Sequence, residues 1–190
     1  MKFCTQCGNA VEERIPDGDD RHRYVCSSCG TVHYSNPNIV VGCVVEHESR
    51  ILLCKRAINP RSGFWTLPAG FLEHAETTAE GAARETWEEA LARVDIHDLF
   101  SLISVPHIGQ VHMFYRASLQ TPEFRPGPES LEVALFAEED IPWDDIAFPT
   151  VGHTLRWYLD DRRNGNFGMH TRDIVAKPPK KLVPHNFGSR

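Results

Sequence analysis

Apolar residues run almost without interruption over residues 39–45 and 51–54, with a short polar turn near Glu48 and Ser49 between them. This pattern predicts two strands, the second closed by Lys55 and Arg56. Further strand patterns cover residues 100–105, 111–119 and 131–136. A helical period over residues 148–161 turns Val151, Leu155, Tyr158 and Leu159 inward. A second helix is predicted to start at Thr77 or Thr78, because Thr77 and Glu80 form an S/T-x-x-E capping box. On it, Ala79, Ala83, Thr86, Trp87, Ala90 and Leu91 recur at spacings of three and four and are expected to form the buried stripe. No internal repeat is visible. Asn36-Pro37-Asn38 marks a boundary, giving an accessory module over 1–35, the main domain over 36–163 and a tail over 164–190. The tail is rich in Pro, Lys and Gly, contains Lys177-Pro-Pro-Lys-Lys181, ends in a Gly-Ser-Arg that reads as a cloning remnant, and is expected to lack regular structure.

The chemistry sits on the first helix. Glu85, Glu88 and Glu89 fall at i, i+3 and i+4, so three carboxylates share one turn. Each like-charge pair at that spacing costs an isolated helix about 0.2–0.5 kcal/mol, and a divalent cation held by hard oxygens gives a reason for the crowding. The plainer alternative is a solvated acidic face.

Two CxxC pairs, Cys4 with Cys7 and Cys26 with Cys29, are each followed by a glycine that lets the backbone turn around a sulfur ligand. The spacing predicts a zinc ribbon whose four thiolates close a tetrahedral Zn2+ site and leave no position for substrate. A disulfide framework is the alternative, and it requires an oxidising compartment. Met1-Lys2-Phe3-Cys4 does not read as a signal peptide and no apolar run reaches the length of a membrane span, so a cytoplasmic protein with no membrane partner is expected. The 190 residues carry a net charge of -6, and the module sets four basic residues against five acidic ones. Neither balance suits a nucleic-acid partner. Cys43 and Cys54 lie inside apolar strands and read as core thiols.

Gly70, Glu76, Arg84, Glu85, Glu88 and Glu89 match the charged and early glycine positions of G-x5-E-x7-R-E-U-x-E-E-x-G-U, and on these residues the chain resembles the Nudix hydrolases. The late glycine of that pattern is Leu91 here, which concerns how the helix ends. The resemblance implies an α/β/α sandwich with a mixed sheet. It also implies Mg2+ or Mn2+ at Glu85, Glu88 and Glu89, with the Ala69 or Gly70 carbonyl as a further ligand. Glu76 would complete that shell or orient Arg84, which would position carboxylates. The general base is sought in Pro126-Gly-Pro-Glu129-Ser-Leu-Glu132, with Glu129 in the loop favoured over Glu132 in the strand.

The substrate implied is a nucleoside diphosphate linked to another group. Val41-Gly-Cys-Val, Leu53-Cys-Lys-Arg, Phe64-Trp-Thr-Leu-Pro-Ala-Gly, Arg84-Glu-Thr-Trp-Glu-Glu and Pro126-Gly-Pro-Glu-Ser-Leu-Glu resemble plant-type FAD and ADP-ribose pyrophosphatases, which implies FAD, cleaved to FMN and AMP, or ADP-ribose, cleaved to AMP and ribose 5-phosphate. NADH is the alternative, since a zinc ribbon joined to this domain resembles the NADH pyrophosphatases, although the SQPWPFPxS run of those enzymes is absent. Arg56, Arg61, Phe64 and Tyr115 are candidates for phosphate and ring contacts. A homodimer is expected by the same resemblance. A nucleotide sensor without catalysis would need a broken carboxylate set, and a nucleic-acid-binding ribbon would need a basic face.

Overall fold

The computed structural model describes residues 1–175, which divide into two units, Met1–Pro37 and the chain from Asn38 on. In the first unit, β1 (Val11–Arg14) and β2 (Arg23–Cys26) form an antiparallel hairpin around the Pro16 to Asp20 turn, and β3 (Val32–His33) adds to β2.

The second unit is built on β4 (Asn38–His47) and β5 (Arg50–Arg56), joined through Glu48 and Ser49, both left-handed at φ 48° and 63°. These strands pair only near the turn, at Glu46 with Ile51 and His47 with Arg50, and then diverge. Into the gap run β6 (Trp65–Thr66), paired to β5, and β7 (Ala69–Phe71), paired to β4. The stretch leading into α1 (Thr78–Ala90) is therefore held from both sides by the two central strands. β8 (Val94–Val105), β9 (Gln110–Leu119), β10 (Ser130–Phe136) and β11 (His170–Asp173) complete a sheet of order β10-β5-β4-β9-β8-β11. The β4–β9 and β8–β11 pairs are parallel and the others antiparallel, so the sheet is mixed.

Alternation along the central strands divides the core in two. Cys43, Val45, Leu52 and Cys54 pack with Ala82 and Ala90 of α1, whereas Val44, Ile51 and Leu53 pack with Val151, Leu155, Tyr158 and Leu159 of α2 (Pro149–Asn164). One helix thus covers each face, an α/β/α sandwich.

Three expectations need correction. The inward face of α1 carries Gly81, Ala82, Thr86, Glu89 and Ala90, while Trp87 is 41% exposed. The helix meets β4 through its smallest residues: a Cβ on Gly81 would lie 3.0 Å from Val41 Cγ2, and Cys43 Sγ lies 3.5 Å from the Ala82 carbonyl. That close approach turns the bulky indole outward and Glu89 inward. Secondly, β8 begins at Val94, six residues before the predicted strand, because its first half pairs with the end of β9. Thirdly, the tail is not without structure throughout, since α2 extends to Asn164 and β11 joins the sheet edge beside β8. Lys177-Pro-Pro-Lys-Lys181 and the final Gly-Ser-Arg lie outside the described residues.

Candidate active site

The loop between β7 and α1 and the first three turns of α1 build the site. Thr77 is the N-cap: its hydroxyl accepts from Glu80 N–H at 3.2 Å, and Glu80 Oε2 accepts from Thr77 N–H at 2.8 Å. This closes the capping box and fixes where the helix begins. At the other end Leu91 takes the left-handed conformation at φ 47° and donates its N–H to Trp87 O, doing with a branched side chain what glycine does without strain. Between them, Gly70 lets the Glu85 carboxylate lie directly on the backbone of β7, since a Cβ there would be 2.3 Å from Glu85 Oε2.

Arg84 ties the loop to the carboxylates. Its Nε and Nη2 donate to the two oxygens of Glu76, at 2.9 and 2.7 Å, and Nη2 also donates to the Phe71 carbonyl at 3.0 Å. Its Nη1 donates to Glu85 Oε1 at 2.7 Å and to Glu88 Oε2 at 3.1 Å. Glu76 also accepts the Glu73 N–H at 2.7 Å. With Arg84 first and that amide second, its carboxyl is held down to about 2. Glu76 is thereby committed to holding Arg84.

Glu89 is in the opposite condition. It is 7% exposed and accepts a hydrogen bond from Ala69 N–H at 3.2 Å. Burial pushes its carboxyl up to about 8 against that amide, and the neighbouring charges of Glu85 and Glu129 push the same way. Burial also raises Glu85, opposed by Arg84 and reinforced by Glu88 and Glu129. A buried carboxylate with one weak donor and like charges around it favours a cation as its partner. The hard-oxygen donors Glu85, Glu88 and Glu89 therefore suit Mg2+ or Mn2+, with the Ala69 and Gly70 backbone on the same cavity wall. Among the described residues the three carboxylates do not all converge to within 4.8 Å of one another, as four thiols do; Arg84 Nη1 holds Glu85 and Glu88, while Glu89 is held separately by the Ala69 amide.

A cavity of about 920 Å³ opens over this cluster. Of the residues expected from the sequence, Arg56, Ala69, Gly70, Arg84, Glu85, Glu88, Glu89 and Glu129 line it. Glu129 reaches the wall because Gly127 seats its loop on the end of α1, donating its N–H to Glu89 O at 2.9 Å. A Cβ at Gly127 would lie 1.7 Å from Glu88 O, so only glycine fits there. Glu132 is not in the wall; it pairs with Lys55 at 3.5 Å on the strand surface. Arg61 stacks over Phe64 at 5.2 Å, and Tyr115 shares a 2.6 Å hydrogen bond with Thr78, all outside the cavity lining. The cavity instead recruits Phe71, Trp87, Phe148, Ile108, Gln110 and His112, none of them expected. His112 Nε2 lies 2.9 Å from Gln110 Oε1, and burial lowers its pKa. In sequence these two are alternate positions of an ordinary strand, and no local signal marks them.

In the first unit, the sulfurs of Cys4, Cys7, Cys26 and Cys29 all lie within 4.8 Å of one another, with Cys4–Cys29 at 3.7 Å and Cys7–Cys26 at 3.5 Å. A tetrahedron of Zn–S bonds near 2.3 Å has edges of about 3.8 Å, so the cluster has the dimensions of a zinc site. None of the four is in a disulfide. Gly8 and Gly30 donate their N–H groups to the Cys4 and Cys26 carbonyls, both at 2.9 Å, folding each CxxC back on itself.

Comparison with known proteins agrees with this division. A family model described as Nudix N-terminal matches residues 2–35, and one described as NUDIX domain matches residues 36–158. The crystal structure of a NUDIX hydrolase from Nitrosomonas europaea is 53% identical and superposes with a TM-score of 0.91 over 93% of this chain and 100% of that one. NAD-capped RNA hydrolase NudC of Photobacterium profundum is 29% identical over 138 residues, which are 73% of this chain but 50% of NudC. Phosphatase NudJ of Escherichia coli K12 is 47% identical over 53 residues, 28% of this chain and 34% of NudJ. The chain thus spans half or less of these two curated relatives. Since the NUDIX-domain match extends over well more than half of the chain and takes in the loop, helix and carboxylates described above, the chain belongs to the Nudix family, with a zinc ribbon ahead of its Nudix domain.

Proposed function

We propose that this chain hydrolyses the pyrophosphate bond of a nucleoside diphosphate linked to another moiety, in a reaction that needs a divalent metal, with FAD or ADP-ribose as substrate and AMP as one product. The observation that carries this reading is a single cavity lined together by Glu85, Glu88, Glu89, Ala69, Gly70, Glu129 and Arg56. Glu85, Glu88 and Glu89 would hold Mg2+ or Mn2+, which when bound neutralises phosphate oxygens and acidifies a water. Arg84, fixed by Glu76, aligns Glu85 and Glu88 for that task. Glu129, in the lining of the same cavity, takes the proton of the attacking water as the water's oxygen bonds to phosphorus and the bridging P–O bond breaks. Arg56, whose charge acts on Glu89, supplies a cation for the remaining phosphate charge.

NADH is a second reading, favoured by the 29% identity to a relative named as an NAD-capped RNA hydrolase. Both readings include a structural Zn2+ in the ribbon, a homodimer and a cytoplasmic protein. The four closely set free thiols support a reducing compartment. No helix among the described residues is long and apolar enough to cross a membrane.

The test is a panel of FAD, ADP-ribose, NADH and diadenosine polyphosphates with Mg2+ or Mn2+, with products separated by chromatography. AMP release from FAD or ADP-ribose is expected. A specificity constant for NADH ten or more times that of both would move the assignment to NADH.

A further inference from the structure

Resting on the pyrophosphohydrolase reading, we infer that the cavity is built for two heteroaromatic rings, one on each side of the pyrophosphate. Its preferred substrates are then dinucleotides and not nucleoside diphosphate sugars. Trp87 is the stacking platform for the ring that ADP-ribose lacks, and the adenine common to all these substrates takes the other.

Trp87 is an indole that should be buried by helical period and is instead 41% exposed at the cavity wall. Leaving that much apolar surface open on a structured helix points to a ligand. The side chain is also held in place. The left-handed turn at Leu91 brings Arg93 back along the helix, so that its guanidinium stands 4.7 Å over the indole. Trp87 and Leu91 line both the cavity and a smaller neighbouring pocket, whereas Arg93 lines only the latter. The cation therefore braces the indole from the neighbouring pocket and leaves its other side to the cavity. A cation–π contact of this kind fixes the ring plane without occupying the ligand face.

The other platform lies across the carboxylates. Phe148 and the Arg56 guanidinium, 5.0 Å over its ring, line the same cavity, so the planar guanidinium backed by Phe148 is the surface a ring meets there, and Arg56 is close enough to Glu89 for its charge to act on that carboxyl. At 3.6 residues per turn, Trp87 stands about 100° round α1 from Glu88 and about 160° from Glu89. One ring platform is thus on the Glu88 side of the cluster and the other on the Glu89 side. A substrate whose pyrophosphate spans the carboxylates reaches both with a base or cofactor ring at each end; ADP-ribose can fill only one.

The test compares kcat/KM for FAD, NADH and ADP-ribose in the wild-type protein, Trp87→Ala and Trp87→Phe, with Mg2+. FAD or NADH should exceed ADP-ribose at least tenfold in the wild type. Stacking of one base is worth enough for Trp87→Ala to lower that ratio about tenfold, through KM and not kcat. Trp87→Phe should keep most of it. A wild type that prefers ADP-ribose, or an alanine variant that leaves the ratio intact, would overturn the inference while leaving the pyrophosphohydrolase reading in place. Absence of hydrolysis of all three substrates would instead overturn that reading and the inference with it.

Discussion

Arg84 meets Glu76, eight positions earlier in sequence, in a bidentate pair, Nε to Oε2 at 2.9 Å and Nη2 to Oε1 at 2.7 Å. The pair fastens the loop after β7 to α1 and leaves Nη1 to hold Glu85 and Glu88 together. Glu76→Gln keeps the shape but replaces one acceptor oxygen by a donor that faces the guanidinium. We expect kcat to fall at least tenfold with KM nearly unchanged, because the carboxylates lose their alignment and not the substrate its contacts. Arg84→Lys should behave similarly, as an ammonium cannot serve the fork of four acceptors. Steady-state kinetics of both variants check this, with circular dichroism to confirm that the fold is intact.

The raised carboxyl of Glu89 gives a pH dependence of known sign. Its folded value near 8 lies above the ordinary 4.5, so between these values the folded domain binds a proton that the unfolded chain releases. Metal-free stability from this group is fully present below about pH 4.5 and is lost as pH rises through about 8. Glu89→Gln mimics the protonated form at every pH. In magnesium-free buffer, its Tm should match that of wild type near pH 5 and exceed it by several degrees near pH 9. The ribbon titrates identically in both proteins and cancels in the difference. Added Mg2+ should raise the wild-type Tm at high pH and leave the variant nearly unmoved.

Glu129 and Glu132 stand three residues apart but face different surroundings, one on the cavity wall and one paired with Lys55. Replacing Glu129 by Gln should lower turnover at neutral pH about a hundredfold, within the usual range for removal of a general base. Glu132→Gln should change it less than twofold. The reverse result would move the base to β10.

The four ribbon thiols should hold one zinc ion per chain. Elemental analysis of protein purified under reducing conditions checks the stoichiometry. Cys26→Ser should release the metal and unfold the first unit, since a site of this kind supplies much of a small module's folding free energy. Zinc-free protein with four freely reactive thiols would contradict the assignment.

How much of this was legible in the sequence varied with how local the cause is. The capping box at Thr77 and Glu80 and the CxxC pairs are local patterns, and the structure places both as read, whereas Glu89 of the carboxylate set turns inward from the face expected for it. The face of α1 was misread because Gly81, Ala82, Ala83 and Ala90 are all small, so the apolar period leaves the helix free to rotate by one residue. The close contact with β4 settles that rotation and exposes Trp87. β11 has no apolar alternation in His170-Thr-Arg-Asp, and it forms a strand only because the edge of β8 offers partners. Gln110, His112 and Phe148 reach the cavity by tertiary placement alone, which no spacing in the chain records.

Glu88→Gln probes whether Glu85, Glu88 and Glu89 bind the metal that drives pyrophosphate hydrolysis. Glu88 is the exposed member of the three, so Gln costs the fold little: the helix loses a repulsion from its neighbours together with the charge of the 3.1 Å contact to Arg84. AMP release from FAD and ADP-ribose is measured for wild type and variant across a Mg2+ titration. The account predicts metal-dependent release by the wild type and at least a hundredfold lower turnover in the variant at saturating Mg2+, about 2.7 kcal/mol of lost transition-state stabilisation. Near wild-type turnover by Glu88→Gln would contradict it.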